Sequence, residues 1–473
     1  MSSTECSSNR VQPRIEVDSL GEREVPGDVY YGIQTLRGHE NFRITGYQVH
    51  PMLIRSLAIV KKATALANAE LGRIPQQVAA AISQAADEVI EGKLDREFIL
   101  DPIQGGAGTS INMNVNEVLA NRAIEILGGQ PGDYAIVSPL NHVNMGQSTN
   151  DAVPTAARIA LLKQLDPMLR SLETLVNALE LKAYEFKDAL KMGRTHLQDA
   201  VPITAGQEFG AWAKVIKRDI ARIREAADEL HTMNLGGTAV GTGLNANVRY
   251  IGLVRELLQN VSGLEFRTAD DLVDATQNVD AMTNVSACLK VCAVNLCKIA
   301  NDVRLLASGP SAGLHELILP AVQPGSSIMP AKVNPVIAEV VNQVAFQIMG
   351  NDLTVSMAAQ AGQLELNVFM PVLLFNLLQS VDILGNVART FAEKCISGIN
   401  VNRDRCLHMV EANVGIVTAL VPHLGYGTAT DVAKEAQRTG NTVRNVVLER
   451  GLMSEAELDR VLSIANMTNP AGA

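Results

Sequence analysis

Residues 270–307 read DDLVDATQNVDAMTNVSACLKVCAVNLCKIANDVRLLA, and this stretch decides the fold class. Small and apolar residues recur in it at alternating steps of four and three, from Ala275 through Leu289 to Ala307. A second stripe, at steps of seven, consists of Val285, Cys292, Ile299 and Leu306. Because this spacing puts both stripes on one side of an α-helix, the stretch predicts a single helix with a continuous apolar seam.

Both ends of this predicted helix carry boundary signals. Thr268 and Asp271 form a capping-box-like start, and Gly309-Pro310 forms a stop. At the rise of an α-helix, such a helix would be about 55 Å long.

Four other stretches have similarly long apolar patterns, namely residues 155–190, 205–232, 335–360 and 371–394. Pro167 is expected to kink the first of them. Helices of this length, apolar over wide arcs, cannot bury themselves in one small domain. They therefore predict a bundle in which the helices cover one another and are covered by other subunits.

The N-terminal part has a mixed pattern. Residues 1–15 are predicted to be a disordered tail, and residues 16–50 to be loops with a short hairpin and β-prone runs such as Val29-Tyr30-Tyr31. Helical patterns follow at about residues 52–69, 75–91 and 112–127, with stops at Gly72 and at Gly128-Gly129.

The C-terminal part has shorter periods and more polar residues. Short helices are predicted at residues 401–413, 430–439 and 442–450, with a capped final helix starting at residues 453–457. The whole pattern predicts an all-α protein with a long central helix bundle. We expect a mixed N-terminal domain at residues 1–147, the bundle domain at 148–398, and a small helical C-terminal domain at 399–473.

Composition excludes several classes of protein. Apolar residues make up 47% of the chain and charged residues 19%, which is typical of a folded globular protein. The net charge of -10 gives no electrostatic footprint for nucleic acid. Residues 1–9 lack the apolar core of a secretion signal, and no run approaches the roughly 18 apolar residues of a membrane span. We expect a cytoplasmic protein that binds neither nucleic acid nor membrane.

The six cysteines form no C-x-x-C pair. Cys288 and Cys292 share a helical face but have no histidine partner at the spacing of a metal site. The cysteines, Cys6 included, are therefore predicted to be reduced and mostly buried, and no metal site is expected.

Four polar segments punctuated by glycine lie between the helical patterns, at residues 105–110, 142–151, 193–199 and 325–335. Loops held by rigid elements often carry function. The first is a glycine-rich turn that opens a helix and could present N–H groups to an anion, although a simple tight turn explains it equally well. It is not a Walker loop, because no lysine follows its last glycine.

The second segment offers three short polar side chains, Ser148, Thr149 and Asn150, just before a long helix. One of them would suffice as a helix cap, so three in a row favour a pocket for a carboxylate or an amine. In the third segment a lone histidine, His196, follows a Gly-Arg turn beside Thr195. A lone histidine is usually structural, and Arg194 with Asp199 is predicted to be a structural ion pair.

The fourth segment is the most informative. Asn334 as the helix cap with Pro335 as the first helical residue is a sufficient structural reading. Lys332, two residues earlier, would in addition aim a positive charge at a place already favoured by the helix dipole. An α-carboxylate would fit there.

This fourth segment, GSSIMPAKVNP, resembles the signature of the aspartase/fumarase superfamily. The other three segments are similar to the remaining active-site blocks of that superfamily, in the same order, and the resemblance covers about residues 15 to 465. It implies a homotetramer with a central bundle of long helices, in which each active site takes residues from three subunits. It also implies a small dicarboxylate substrate and no cofactor.

Several details resemble the aspartase branch, namely residues 106–110, 147–151, 330–332 and 362–367. Class II fumarases usually carry Ser-Ser-Asn-Asp where this chain has Ser148-Thr149-Asn150-Asp151. His196 and residues 236–239 and 365–369 resemble fumarase equally well. The resemblance therefore implies elimination of ammonia from L-aspartate to give fumarate, with class II fumarate hydratase as the alternative.

The resemblance also implies roles for individual residues. Ser326 would be the catalytic base, and Glu339 would orient His196. The β-carboxylate would be held by Thr109, Ser148, Thr149 and Ser327. The α-carboxylate would be held by Thr195, Lys332 and Asn334. The departing amino group would contact Asn150 and His196. A catalytically silent helical assembly built on the same fold is the alternative of another class.

Overall fold

The computed structural model describes residues 12–469. Most of the tail predicted for residues 1–15 lies outside this range, as does Cys6. Arg14 and Ile15 belong to a strand instead, because β1 (Arg14–Asp18) pairs antiparallel with β2 (Gly21–Val25). The predicted hairpin is confirmed.

The β-prone run at residues 29–31 forms no strand. Its carbonyl groups are used locally, because the Arg14 guanidinium donates hydrogen bonds to the carbonyls of Pro26, Val29 and Tyr31. A backbone bonded in this way to one side chain has no need of a partner strand.

Helix α1 (Ile33–Asn41) was not predicted. The reason is that its cap comes from a distant residue: the buried Glu117 carboxylate accepts the N–H groups of Gly32, Gln34 and Thr35. Helices α2 (Pro51–Glu70) and α3 (Gln76–Ile90) confirm the predicted patterns, and α4 (Thr109–Ile126) starts three residues before the predicted Asn112.

The first long helix, α5 (Thr149–Glu185), contains Pro167 within it, and the predicted kink there stays a prediction. A hairpin of β3 (Leu190–Thr195) and β4 (Gln198–Thr204) follows, and then α6 (Ala205–Asp228). Two short parallel strands, β5 (Thr232–Met233) and β6 (Arg267–Thr268), flank α7 (Val248–Ser262).

The single helix predicted for residues 270–307 is wrong, because the chain forms α8 (Leu272–Gln277) and α9 (Asp280–Leu306) there. Asn278 adopts an extended backbone that ends α8, and its side chain donates to the Asp274 carboxylate. Asp271 caps α8 as predicted, whereas Thr268 lies in β6. With 27 residues, α9 is about 40 Å long.

The apolar seam itself is confirmed along α9, where Met282, Leu289 and Leu296 are at most 2% exposed. Strand β7 (Leu317–Ile318) follows, and then the two remaining long helices, α10 (Val336–Gln360) and α11 (Met370–Lys394), close to their predicted bounds. Together these helices confirm the all-α fold class.

The C-terminal part begins with β8 (Asn400–Val401), which pairs with β7. Five short helices follow: α12 (Arg403–Glu411), α13 (Val421–Leu424), α14 (Tyr426–Thr439), α15 (Val443–Glu449) and α16 (Glu455–Val461). The predicted capped helix is confirmed at α16 by a capping box between Ser454 and Glu457. A last helix, α17 (Ile464–Thr468), was not predicted.

The chain divides into two compact units. The first comprises residues up to 168, 222–290 and 347–383, and the second comprises residues 169–221, 291–346 and 384 onward. The limits of the units fall inside the long helices, so each unit contains segments of the bundle. The predicted division into three consecutive domains stays a prediction.

One helical stretch, residues 370–398, is long and apolar enough to cross a membrane by length and composition alone. Two thirds of its most apolar window (67%) is buried inside the protein, as in the core helix of a bundle.

Candidate functional site

The glycine-rich turn at residues 105–110 lies in the first unit and leads into α4. Gly108 has a left-handed φ of +91°, and a Cβ there would lie 3.2 Å from the Val153 side chain on α5. Glycine is therefore needed both for the turn and for its close approach to α5. Thr109 is exposed at the first position of α4, and its Oγ1 donates to the Gly106 carbonyl at 2.6 Å.

The start of α5 carries the second predicted segment. Ser148 is the helix cap: its Oγ accepts the Asn150 N–H at 3.2 Å, and its carbonyl accepts the Ala152 N–H at 3.1 Å. The capping interpretation is therefore correct for Ser148. The side chains of Thr149 and Asn150 remain half-buried, and the Asn150 amide donates to the Ala239 carbonyl at 2.7 Å.

Thr149 and Asn150 line a narrow cavity of the first unit together with Ala107, Thr276 and Arg158. The turn that precedes Thr109 and the start of α5 are thus brought together. Arg158 is 5% exposed, its Nε and Nη1 atoms have no hydrogen-bond partner in the described chain, and burial lowers its pKa. Arg158 belongs to no motif in the sequence, although it lies about two turns after Asn150 on the same face of α5.

A buried lysine holds the residues that lead into α5. Lys61 of α2 is 0% exposed, and its Nζ donates to Asn144 Oδ1 and Gln147 Oε1, both at 2.8 Å. Burial lowers the pKa of Lys61 to about 7, and the charge of Asp151 opposes that shift. Lys61 carries no signal in the sequence, because a lysine in a helical pattern is ordinarily an exposed residue.

The third predicted segment is the tip of the β3–β4 hairpin in the second unit. Thr195 pairs with Gln198, and both loop residues between them, His196 and Leu197, have left-handed φ values of +55° and +60°. Thr195 and His196 are exposed. A non-glycine residue held in this region is uncommon, and such residues concentrate at functional sites.

A buried ionic cluster holds the base of this hairpin. Glu316, 1% exposed, pairs with Arg194 at 2.7 Å and with Lys191 at 2.8 Å, and Lys191 also pairs with Glu208 at 2.7 Å. The predicted ion pair of Arg194 with Asp199 is present but long, at 3.9 Å. Glu316 is the main partner of Arg194, and no motif in the sequence marks it.

The fourth segment, residues 325–335, is named here the serine loop. Ser326 is half-buried, and its Oγ accepts the backbone N–H groups of Ile328 at 3.2 Å and Met329 at 3.0 Å. Two N–H donors aimed at one hydroxyl oxygen stabilise negative charge on it. Ser327, next to it, is exposed.

Two hydrogen bonds close the serine loop. Gly325 N donates to the Lys332 carbonyl at 2.8 Å, and Asn334 Nδ2 donates to the Gly325 carbonyl at 2.7 Å. Helix α10 begins only at Val336, so the prediction of Asn334 as helix cap and Pro335 as first helical residue is wrong by one position. Because the Asn334 side chain closes the loop, it does not cap the helix.

Lys332 is exposed, and it has no carboxylate partner within residues 12–469. It lines an open groove of about 430 Å³ in the second unit, together with Arg304, His315 and Asn334. An unpaired ammonium group in such a groove is suited to an anionic ligand.

Glu339 lies on the first turn of α10 and is half-buried. Across the described residues, no hydrogen bond joins it to His196, and their pairing stays a prediction. The structure thus contains two groups of predicted site residues. Thr109, Ser148, Thr149 and Asn150 belong to the first unit, and the remaining predicted residues belong to the second.

The part of the chain from residue 12 to residue 469 contains no group of three or more histidine, cysteine or acidic side chains placed to hold a metal ion. The described cysteines are free thiols, and only Cys297 among them is not fully buried. The prediction of reduced, mostly buried cysteines is confirmed for these positions.

Comparison with known proteins identifies the family of this chain. A family model described as Lyase matches residues 21–350, and one described as Fumarase C C-terminus matches residues 416–469. The chain is 56% identical over 457 residues to an aspartate ammonia-lyase from a Bacillus sp, an alignment covering 97% of this chain and 98% of that protein. An aspartate ammonia-lyase from Bacillus subtilis (strain 168) is also 56% identical, with 97% and 96% covered.

Two solved structures share the fold. A structure described as fumarate lyase:delta crystallin from Brucella melitensis bound to cobalt has a TM-score of 0.95 and 49% identity, over 97% of this chain and 100% of that one. Recombinant class II fumarase from Schistosoma mansoni has a TM-score of 0.90 and 37% identity, over 95% and 98% of the two chains. With these matches over nearly its whole length, the chain belongs to the lyase family of the aspartase/fumarase superfamily.

Proposed function

We propose that this chain catalyses the reversible elimination of ammonia from L-aspartate to give fumarate, as an aspartate ammonia-lyase. It is a carbon–nitrogen lyase. The observation that carries the mechanism is the environment of Ser326, whose Oγ accepts two backbone N–H groups from its own loop. Identity above 50% to aspartate ammonia-lyases over nearly the whole chain supports the choice of substrate.

The reaction requires a proton to leave the carbon beside the β-carboxylate. Its electron pair moves into that carboxylate, which becomes a doubly charged aci-carboxylate, and then expels the amine as the carbon–nitrogen bond breaks. Preorganised hydrogen-bond donors around developing charge usually provide the largest catalytic contribution. In this proposal the donors are the hydroxyls of Thr109, Ser148, Thr149 and Ser327.

Ser326 is the proposed base. A serine hydroxyl is a poor base unless its anion is stabilised, and the N–H groups of Ile328 and Met329 are placed to do so. The positive charge of Lys332, in the same loop, favours the alkoxide further. We expect this loop to close over bound substrate and so to exclude water from the reacting carbon.

The remaining contacts fix the other end of the substrate. Thr195, Lys332 and Asn334 are proposed to bind the α-carboxylate, with Lys332 supplying the charge. Asn150 and His196 are proposed to contact the amino group, and Glu339 to orient His196 from a neighbouring subunit. No cofactor is needed, because proton and amine leave as an elimination without net oxidation.

We further propose that the active protein is a cytoplasmic homotetramer with sites shared between three subunits. One observation supports assembly: helix α10 leaves Leu353 and Met357 62% and 56% exposed on one face. Exposed apolar side chains one helical turn apart are typical of a surface covered by another subunit. Light scattering should give four chains per particle, and a stable monomer would contradict the shared site.

Fumarate hydratase is the second candidate, because the chain is also 37% identical to a class II fumarase with the same fold. Both reactions use the same carboxylate contacts and differ in the leaving group. Fumarate formation from L-aspartate and from L-malate, followed in parallel by ultraviolet absorbance, distinguishes them. Formation from malate alone would overturn the proposal.

A further inference from the structure

Asp151, at the start of α5, is 0% exposed and joins two turns that are distant in sequence. Its Oδ1 accepts the Ser148 N–H at 2.8 Å within its own turn. Its Oδ2 accepts the N–H groups of Gly236 and Thr238, each at 3.0 Å, from a turn more than 80 residues later. Both carboxylate oxygens are therefore occupied by backbone donors. Burial raises the pKa of Asp151, and these N–H bonds and the charge of Lys61 oppose that rise.

Two amide side chains tie the same turns together. Asn234 Nδ2 donates to the Asn150 carbonyl at 3.0 Å, and Asn150 Nδ2 donates to the Ala239 carbonyl at 2.7 Å. The turn at residues 236–239 needs glycine at its first position, because Gly236 has a φ of +98° and a Cβ there would lie 2.7 Å from the Ile251 side chain.

The bond to Ala239 decides which end of the Asn150 amide is available. Because one N–H of Nδ2 is directed at a carbonyl, the amide orientation is fixed with Oδ1 on its other side, and this oxygen can only accept a hydrogen bond. An acceptor suits the N–H groups of an amine. If the turn at residues 236–239 moved, the amide would lose the carbonyl that fixes its orientation.

We propose that Asp151 is a positioning residue for the elimination reaction. It holds the turn at residues 236–239 against the start of α5, and through the Ala239 carbonyl it keeps Asn150 Oδ1 directed at the departing amine. The inference rests on the proposed function, because it concerns the amine contact of that same site.

A carboxylate is required for this role. Three N–H groups need acceptors on both sides of the side chain, and an amide offers one oxygen and one competing donor. Asp151→Asn therefore sets an NH₂ group against the N–H of Ser148 or against those of Gly236 and Thr238. The two turns should separate slightly, and displacements of about 1 Å near reacting groups cost about 100-fold in rate.

The test compares Asp151→Asn with Glu117→Gln in the full-length protein. Glu117 is also a buried carboxylate that accepts several backbone N–H groups, but it serves α1 and bonds to none of the proposed site residues. We expect Asp151→Asn to lower kcat for L-aspartate about 100-fold while the inhibition constant of succinate changes less than about threefold. Glu117→Gln should keep kcat within about twofold, at a similar fall in melting temperature.

Equal kcat values for the two variants would overturn the inference, as would a loss of succinate binding that parallels the loss of kcat. An inactive wild-type protein would instead contradict the proposed function. If Asp151→Asn does not assemble, Asn234→Ala replaces it, because it removes another tie between the same turns and no charge. Asn234→Ala should lower kcat about tenfold. An unchanged kcat would contradict the positioning of Asn150 by the turn at residues 236–239.

Discussion

The start of α5 and the serine loop are both proposed to contact the substrate, yet they are built differently. Residues 148–151 are half-buried or buried, and Asp151, Asn150 and Lys61 fix them to two other parts of the first unit. The serine loop is largely exposed, and two hydrogen bonds within its own residues close it. The proposed carboxylate pocket is thus rigidly preorganised, whereas the segment with the proposed base depends on its own short contacts.

The largest effect is expected from removal of the base. Ser326→Ala should lower kcat for L-aspartate about 10⁴-fold and change KM little, because the carboxylate contacts remain. Steady-state kinetics of fumarate release measures both constants. Ser311→Ala, an exposed serine in a nearby loop, is the matched control and should keep kcat within about twofold. A Ser326→Ala variant with near wild-type kcat would remove the serine base from the mechanism.

The role of the pocket at the start of α5 is tested by removal of the Thr149 hydroxyl. Thr149→Val keeps the shape of the side chain and should lower kcat/KM about 100-fold, because one donor to the aci-carboxylate is lost. Thr155→Val is its control on the same helix, since the Thr155 hydroxyl is buried and has no hydrogen-bond partner in the described chain. If both variants lost activity equally, the loss would reflect packing of α5 and not a contact with substrate.

Replacement of glycine by alanine should affect the melting temperature differently in the two regions. In Gly325→Ala the new Cβ would lie 2.5 Å from the Lys332 carbonyl, so the loop should open and kcat should fall about tenfold with little change in melting temperature. In Gly236→Ala, at a buried position, the new Cβ would lie 2.7 Å from the half-buried Ile251 side chain, and the melting temperature should fall as well. Equal melting temperatures for the two variants would contradict the contrast between loop and pocket.

The smallest effect is expected on the pH dependence of stability and comes from Lys61. Burial lowers the pKa of Lys61 to about 7. An unfolded lysine binds its proton up to about pH 10.4, so between pH 7 and pH 10 the unfolded state holds more protons than the folded state. Stability therefore rises with pH over this window, by up to about 1.4 kcal/mol per pH unit from this group, and is constant below pH 7. Melting curves at pH 7, 8 and 9 should therefore show wild type gaining stability with pH relative to Lys61→Met, whose residue 61 binds no proton. Parallel curves would show that Lys61 keeps an ordinary pKa.

Much of the fold could be predicted because helical periodicity is a local property of the chain. The long helices and the seam of α9 follow from apolar spacing. The break at Asn278 was missed because the pattern of small residues continues through it, while one side-chain hydrogen bond to Asp274 ends α8. Helix α1 was missed because its cap, Glu117, lies more than 80 residues away.

The candidate site could be located from motifs, but its supports could not. Ser148, Thr149, Asn150 and the serine loop stand out as polar segments between apolar helices. Lys61, Glu316 and Arg158 carry no such signal, because each acts through burial and through partners that only the folded chain brings near. For the same reason the position of Asn334, one residue too early to cap α10, needed the structure.

The most direct test of the account is fumarate absorbance from L-aspartate, with L-malate in a parallel cuvette, for wild type and Ser326→Ala. The account predicts a signal from aspartate alone, and loss of about 10⁴-fold of it in the variant. A signal from malate alone would make the protein a fumarase, and silence with both substrates would leave a helical assembly without this activity.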